Sequence, residues 1–296
     1  MAIYVPNVFE QLIVWVDGLA SPVGRLFQYD DSSLGFEYFS GYASALDSFP
    51  LSNSLPLSEQ KFGDYKTRAF FGNLIPEGGQ AWTISGYYRI ETTDIFAFLY
   101  RLGADCAGAI KCLPIGIRPN TNPSNIFRDY IPVSDARLAK AVKHLQEGTA
   151  TAESRISETL LSGTQEKLGL VYCGPKKGFL VPKPDSQARP THILKIPRKA
   201  NGPTALEEVF VMQLARKVGL QVATAESINI AGIDVVLVQR FDREVSSSGN
   251  VTCIHQEDFA QACGLNSLLK YQRHGLNELV FNATKMGCVL NQTPSP

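Results

Sequence analysis

The chain has 296 residues, with 28 basic against 28 acidic side chains and a formal net charge of zero. Hydrophobic residues make up 44% and charged residues 19%. That composition excludes a disordered chain and provides core for roughly two domains at about 150 residues each. With no basic excess or basic stripe, it argues against direct nucleic-acid binding.

The six cysteines (Cys106, Cys112, Cys173, Cys253, Cys263 and Cys288) contain no C-x-x-C pair, and His144, His192, His255 and His274 lie far apart. This disfavours a zinc site and suits free thiols in a reducing compartment. No basic stretch followed by an apolar leader opens the sequence, and no apolar run is long enough to span a bilayer. The expectation is a soluble cytoplasmic protein with no membrane partner.

In chain order, residues 11–16 read as a strand, Asp17-Gly18 as a hairpin turn and residues 23–29 as the return strand, with a third strand at 34–38. Apolar residues at three- and four-residue spacing predict helices over 66–74 and 94–102, the second ended by Gly103 as C-cap. Residues 1–118 thus form one small α+β domain. Residues 118–134 are rich in Pro, Asn and Ser and read as a linker. Ser134 then caps a short helix over 135–147.

A second unit begins near residue 156. Strands are expected at 168–173, 179–181 and 191–196, then a helix over 204–218, then strands at 227–230 and 234–240 across Ala231-Gly232. A kinase N-lobe uses this order, as do other α+β folds.

Three features carry chemistry. Ser162-Gly163-Thr164 precedes a strand and could turn its backbone N–H groups toward phosphates, or be an ordinary turn; it is not a G-x-x-x-x-G-K-[ST] P-loop. Lys195 lies mid-strand among apolar residues. In kinases such a lysine holds the α/β-phosphates and pairs with a glutamate of the next helix. Glu207 fits a capping box with Thr204. Glu208 shares a face with Val211, Met212 and Ala215, expected to meet the sheet, and is the candidate partner. A structural surface salt bridge is the other reading of the pair. Third, Val235–Val238 leads into Gln239-Arg240-Phe241-Asp242-Arg243, either an interlobe hinge or a core strand followed by a polar loop.

Together these residues resemble the HipA family, kinase toxins of type II toxin–antitoxin systems. The N-terminal unit is similar through Pro50–Leu57, Phe71–Gly78 and Leu102–Ala109. The kinase N-lobe is similar through Ser162–Leu168, Thr191–Lys195, Glu208, Val238–Arg243, His255–Gln261 and Lys270-Tyr271. The resemblance implies a HipA N-terminal subdomain over 1–118, a linker and short helix over 119–155, a kinase-like N-lobe over 156–240, and a hinge, start of C-lobe and divergent tail over 241–296. Most of the helical C-lobe would be absent.

It further implies that Ser162, Gly163, Thr164, Gln165 and Lys167 cover ATP phosphates, that Lys195, with Glu208 as its partner in the nucleotide site, holds them, and that Gln239 and Phe241 offer hinge backbone to adenine. Ser162 is the candidate for autophosphorylation, because Leu160 stands where some members have a serine. The implied activity is ATP- and Mg²⁺-dependent phosphorylation of an aminoacyl-tRNA synthetase, with a HipB-type antitoxin as partner.

No catalytic or metal-binding residue can be placed. After Arg240 the only aspartates are Asp242 and Asp258. His255-Gln256-Glu257-Asp258 superficially matches the kinase H-R-D motif, but Cys263 stands where the pattern needs asparagine. After Gly275 the resemblance is expected to stop. The expectation is a catalytically inactive fragment of such a kinase, or alternatively a non-enzymatic module that binds antitoxin or full-length toxin. An enzyme completed by a separate chain is a third reading.

Overall fold

The structure, a computed structural model, describes residues 6–120, 122–149, 161, 165–184, 186–197 and 204–270. It is an α+β fold of two compact units whose sequences interleave. Among the described residues, the first unit takes 6–14, 21–74 and 257–270, and the second takes 15–20 and 75–256.

The first unit is built on antiparallel strands β1 (Val8–Val16), β2 (Gly24–Tyr29), β3 (Leu34–Tyr38) and β4 (Lys61–Phe62), with a short helix α1 (Ser40–Ala43) after β3. The strands lie in the order β4-β3-β2-β1. Helix α2 (Asp64–Phe71) buries Ala69, Phe70 and Phe71. Phe71 packs on Phe36 of β3 with ring centroids 5.4 Å apart.

Residues 257–270 complete this unit. The hydroxyls of Ser52 and Ser54 donate to the carbonyl of Gln261 at 3.2 and 2.7 Å. Gln261 Nε2 donates to Phe70 O at 3.1 Å, and Asn73 Nδ2 donates to Leu265 O at 2.9 Å. The motifs Pro50–Leu57 and Phe71–Gly78 thus supply the buried donors and acceptors that a returning loop needs.

The second unit opens with α3 (Gly78–Tyr88), α4 (Ile95–Leu102) and β5 (Ile110–Pro114), followed by β6 (Ser124–Asn125), β7 (Tyr130–Pro132) and α5 (Asp135–Glu147). Strands β8 (Glu166–Tyr172), β9 (Phe179–Pro182) and β10 (His192–Ile196) precede α6 (Ala205–Lys217). Then come β11 (Ala225–Ile230), β12 (Ile233–Gln239), β13 (Arg243–Val245) and β14 (Asn250–Cys253).

Six of these strands form one sheet in the order β11-β12-β10-β8-β9-β7. Alternation along the strands sends Leu168, Leu170, Leu194, Ile196, Val235 and Leu237 to one face, where Leu138, Val142 and Leu145 of α5 cover them. Val236, Val238 and Ile193 face the other way, toward Ala205 and Val209 of α6. The β11–β12 turn places Ala231 and Gly232 at φ +51° and +83°. Two left-handed residues in succession match the twist of a tight hairpin.

Several expectations are corrected. The stretch 118–134 is not a free linker: β7 pairs with β9 in the main sheet, and β6 pairs with β14 in a three-stranded sheet β13-β14-β6. Its Pro and Asn residues serve strand ends and turns within packed structure. By packing, residues 75–118 group with the second unit and residues 257–270 with the first, a division of contacts that leaves the expected domain bounds as they stand.

Asp17-Gly18 is the expected turn, with Leu19 N donating to Val16 O at 3.1 Å and Gly18 at φ +85°, but the connection between β1 and β2 is longer than these two residues. The strand register closes at Val14 and Gly24, and Asp17 is drawn to the buried Lys111 at 3.1 Å. Helix α3 went unread because its glycines and aromatics are weak helix formers. Gly103 does cap α4, but at φ −67°, without the left-handed geometry. Its requirement is space: a Cβ there would lie 2.3 Å from Leu99 O and 2.7 Å from Cys112 O.

This contrast sets a test by urea denaturation. Gly103→Ala should cost about 1–3 kcal/mol, because backbone atoms cannot yield as a side chain would. Gly86→Ala, inside α3 with nothing within 4 Å of the added methyl, should instead stabilise by about 0.4–1 kcal/mol.

Candidate functional site

The period of two along β10 that buries Leu194 and Ile196 under α5 turns Lys195 to the α6 face. Lys195 stands opposite Val236 of β12 and opposite Lys167 of β8. Helix α6 begins with a reciprocal cap: Glu207 N donates to Thr204 Oγ1 at 3.2 Å, and Thr204 N donates to Glu207 Oε2 at 2.6 Å. Glu207 is therefore occupied at the helix start, and Glu208 is the carboxylate that meets Lys195 Nζ in an ion pair. The two side chains are 24% and 20% exposed, a partly buried pair.

The buried stripe of α6 is Ala205 and Val209, with Glu208, Met212 and Ala215 partly buried beside it. Val211, expected on that face, is 61% exposed. At 3.6 residues per turn, Val211 lies on the side of the helix turned away from Ala205 and Val209.

The other expected residues are placed as follows. Ser162, Gly163 and Thr164 lie outside the described residues. Gln165 precedes β8 and Lys167 lies on it, both half-buried. Gln239 ends β12 opposite His192, with its side chain exposed and its N–H donating to Thr224 O at 2.8 Å. Phe241 is 68% exposed. The structure thus brings Lys195, Glu208 and Lys167 to one face of the sheet, with Gln239 and Phe241 at the end of β12.

Between the exposed Gln239 and Phe241, and just after them, Arg240, Asp242 and Arg243 turn inward. Asp242 Oδ1 accepts from Arg240 Nε at 2.9 Å. Asp242 Oδ2 accepts from Arg240 Nη2 at 2.7 Å, Arg243 Nη1 at 2.9 Å and Gly108 N at 2.8 Å. Asp105 accepts from Arg243 Nη2 at 3.1 Å and lies 3.8 Å from Arg189 Nε. Burial alone would raise the Asp242 carboxyl; the hydrogen bonds and charge of Arg240, with the charge of Arg243, reverse this and hold it at about 2.

Asp105 and Arg189 were not singled out from the sequence. The usable signal was Gly108, held at φ +66° with no room for a Cβ, which would meet Gln256 N at 2.9 Å. Such a glycine marks a close backbone approach.

The two aspartates after Arg240 both have structural work. Asp242 is the centre of this network. Asp258 caps the short helix Phe259–Ala262, accepting from Gln261 N at 2.8 Å, and pairs with Lys270 at 2.6 Å. Among the described residues no three His, Cys, Asp or Glu side chains group as metal ligands.

Residues 12–113 match the model of the HipA N-terminal domain, and residues 159–293 match that of the HipA-like C-terminal domain. The chain belongs to the HipA family. The match runs past Gly275, where the resemblance was expected to stop.

Among its relatives, the protein Y4mE of Sinorhizobium fredii is 33% identical over 264 residues, covering 89% of this chain and 61% of that protein. The serine/threonine-protein kinase toxin HipA of Shewanella oneidensis is 26% identical over 236 residues, covering 76% of this chain and 49% of that protein. This HipA-family chain therefore spans about half to three-fifths of the length of these curated relatives. Its fold matches a chain in the Shewanella oneidensis HipA, HipB and operator DNA complex with a TM-score of 0.69 at 24% identity, over 88% of this chain and 58% of that one.

Two measurements probe the site. Lys195→Met and Glu208→Gln should each cost about 1–3 kcal/mol, between the values for exposed and fully buried pairs. The double variant should recover part of the sum in a double-mutant cycle, and strict additivity would show that the pair carries no coupling.

His192, pulled by burial from 6.5 to about 4, accepts from Tyr172 N at 3.3 Å and lies 2.9 Å from Thr191 Oγ1. Its folded pKa is lowered, so the unfolded chain binds more protons between those two values. Stability should therefore fall, by up to about 3 kcal/mol, as pH drops from about 6.5 to 4. His192→Gln should flatten that part of the denaturation-versus-pH curve.

Proposed function

We propose that this chain is the nucleotide-holding part of a HipA-type serine/threonine kinase of a toxin–antitoxin system. The observation that carries the reading is the Lys195–Glu208 pair between β10 and α6, in a chain of HipA sequence. In phosphoryl transfer such a lysine holds the nucleotide phosphates and the glutamate fixes the lysine.

The loop Ser162–Lys167 would cover the phosphates, with Ser162 as the modification site. Gln239 and Phe241 would give backbone groups to adenine. ATP, when bound, would supply the phosphates that Lys195 holds, and Mg²⁺ would have to be held by residues other than Asp242 and Asp258. The chain's own contribution is positioning. Asp242 and Asp258, engaged by arginines and by a helix cap, are not available as base or metal ligand, so this chain alone binds nucleotide without transferring phosphate. Only joined to a catalytic half would it act on the family's target class, an aminoacyl-tRNA synthetase in the cytoplasm.

A second reading is favoured by the solved relative in complex with HipB and operator DNA. On that reading the chain is a binding module for a HipB-type antitoxin. Co-purification with such an antitoxin, undiminished by Lys195→Met, supports it.

The nucleotide reading is tested by calorimetry with ATP, with and without Mg²⁺, and by radiolabel transfer. Weak binding is expected, roughly millimolar or about −4 kcal/mol, and lost in Lys195→Met, with no label on Ser162. Label on Ser162 that depends on Lys195 would overturn the inactive reading, and ATP binding indifferent to Lys195→Met would overturn the site.

A further inference from the structure

A cavity in the second unit has a volume of about 350 Å³ and is lined by Lys111, Arg128, Arg189, Asp17 and Asp129 together with hydroxyl and amide side chains such as Thr252. Small-molecule sites begin at about this size. Neither Lys195 nor Glu208 touches it.

The charges behind its wall do not balance. The buried cations are Lys111, Arg189, Arg240 and Arg243, and the carboxylates among them are Asp17, Asp105 and Asp242. Asp242 is shared by Arg240 and Arg243. Asp17 serves Lys111 at 3.1 Å. Asp105 serves Arg243 at 3.1 Å, leaving Arg189 a partner at 3.8 Å, too far for a hydrogen bond.

Arg189 is 2% exposed. Its Nη1 donates to Gly108 O at 3.2 Å and Nη2 to Ile110 O at 3.3 Å, while Nε makes no hydrogen bond. Nη1 also lies 3.2 Å from the Cys253 sulfur, whose thiol burial raises, and the charge of Asp17 acts on Arg189 as well as on Lys111. Arg189 thus feels the charge of two aspartates but hydrogen-bonds to neither, and its buried Nε is left for an acceptor that enters the cavity.

The cavity is also held in shape. Gln187, at φ +53°, accepts from Asn120 N at 3.0 Å and donates from Nε2 to Arg118 O at 3.1 Å; Asn120 Nδ2 donates to Ser186 O at 2.9 Å. A non-glycine residue in the left-handed region persists where its surroundings fix it, and such residues gather at functional sites.

We propose that this cavity binds a phosphate-bearing small molecule, with Lys111 and Arg189 facing the phosphate from within and Arg128, held at the rim by Asp129 at 2.7 Å, adding its charge from outside. Guanidinium forks match phosphate oxygens bidentately and an ammonium adds a point charge, and a phosphate offers three or more oxygens to three cations where a carboxylate offers two. The volume leaves room for the body of a phosphomonoester.

The test is calorimetry and thermal shift on the full chain at fixed ionic strength, with glycerol 3-phosphate, inorganic phosphate, succinate and sodium chloride as probes. Saturable binding of the two phosphates is expected, with succinate weaker and chloride without effect. Tighter binding of glycerol 3-phosphate identifies a phosphomonoester as ligand, and equal binding identifies free phosphate; either upholds the site.

Arg128 is 62% exposed in its side chain, so Arg128→Gln should leave the fold intact and weaken binding by about tenfold. Lys195→Met should leave binding unchanged, which separates this cavity from the nucleotide site. Absence of saturable binding, succinate binding as tightly as phosphate, indifference to Arg128→Gln, or loss in Lys195→Met would each overturn the proposal.

Discussion

The second unit depends on a knot of buried charge. Asp242 holds Arg240 and Arg243, Arg243 reaches Asp105, and the backbone of Gly108 both donates to Asp242 and accepts from Arg243 and Arg189. These groups come from the loop before β5, the segment before β10 and the segment after β12. Removing Asp242 would strand Arg240 and part of Arg243 away from water, a loss of about 3–5 kcal/mol. Replacing the whole set by apolar residues of like volume need cost nothing, so the network matters less as glue than as a fixed register among three separate loops. It also anchors both ends of the hinge-like segment, leaving only Gln239 and Phe241 turned outward.

The same economy of period governs the sheet. Along β10 and β12, alternate residues serve α5 on one face and α6 on the other. Lys195 occupies a position that an aliphatic residue would fill if the strand were only structural. The capping box at the start of α6 removes Glu207 from consideration and presents Glu208 beside it, a half-buried carboxylate that needs a cation. A local motif, satisfied within four residues, thus decides which of two adjacent glutamates is free to act across the sheet.

Length in the sequence misled where backbone polar groups had to be satisfied at long range. The Pro- and Asn-rich stretch 118–134 reads as a connector, because nothing within it shows that β6 will find β14 or that β7 will find β9. The polar motif Ser52–Ser54 likewise gives no hint that its hydroxyls will serve a carbonyl 207 residues away. In both cases the residues supply hydrogen-bonding capacity, and the partner is set by the tertiary fold.

What the sequence by itself determined is what depends on near neighbours. The strands β1 to β3 and β8 to β12, the helices begun by Ser134 and Thr204, the pairing of Lys195 with Glu208 and the α+β HipA character were legible, because periodicity and capping act within a few residues and family motifs are read in order. What only the tertiary structure decided is which polar residues went inside. Arg189 and Asp105 look like ordinary surface charges in the sequence, and the Arg240–Arg243 segment looks like an exposed loop. Their burial is stable only because each finds countercharge or a carbonyl from a distant segment, a condition that no local pattern records.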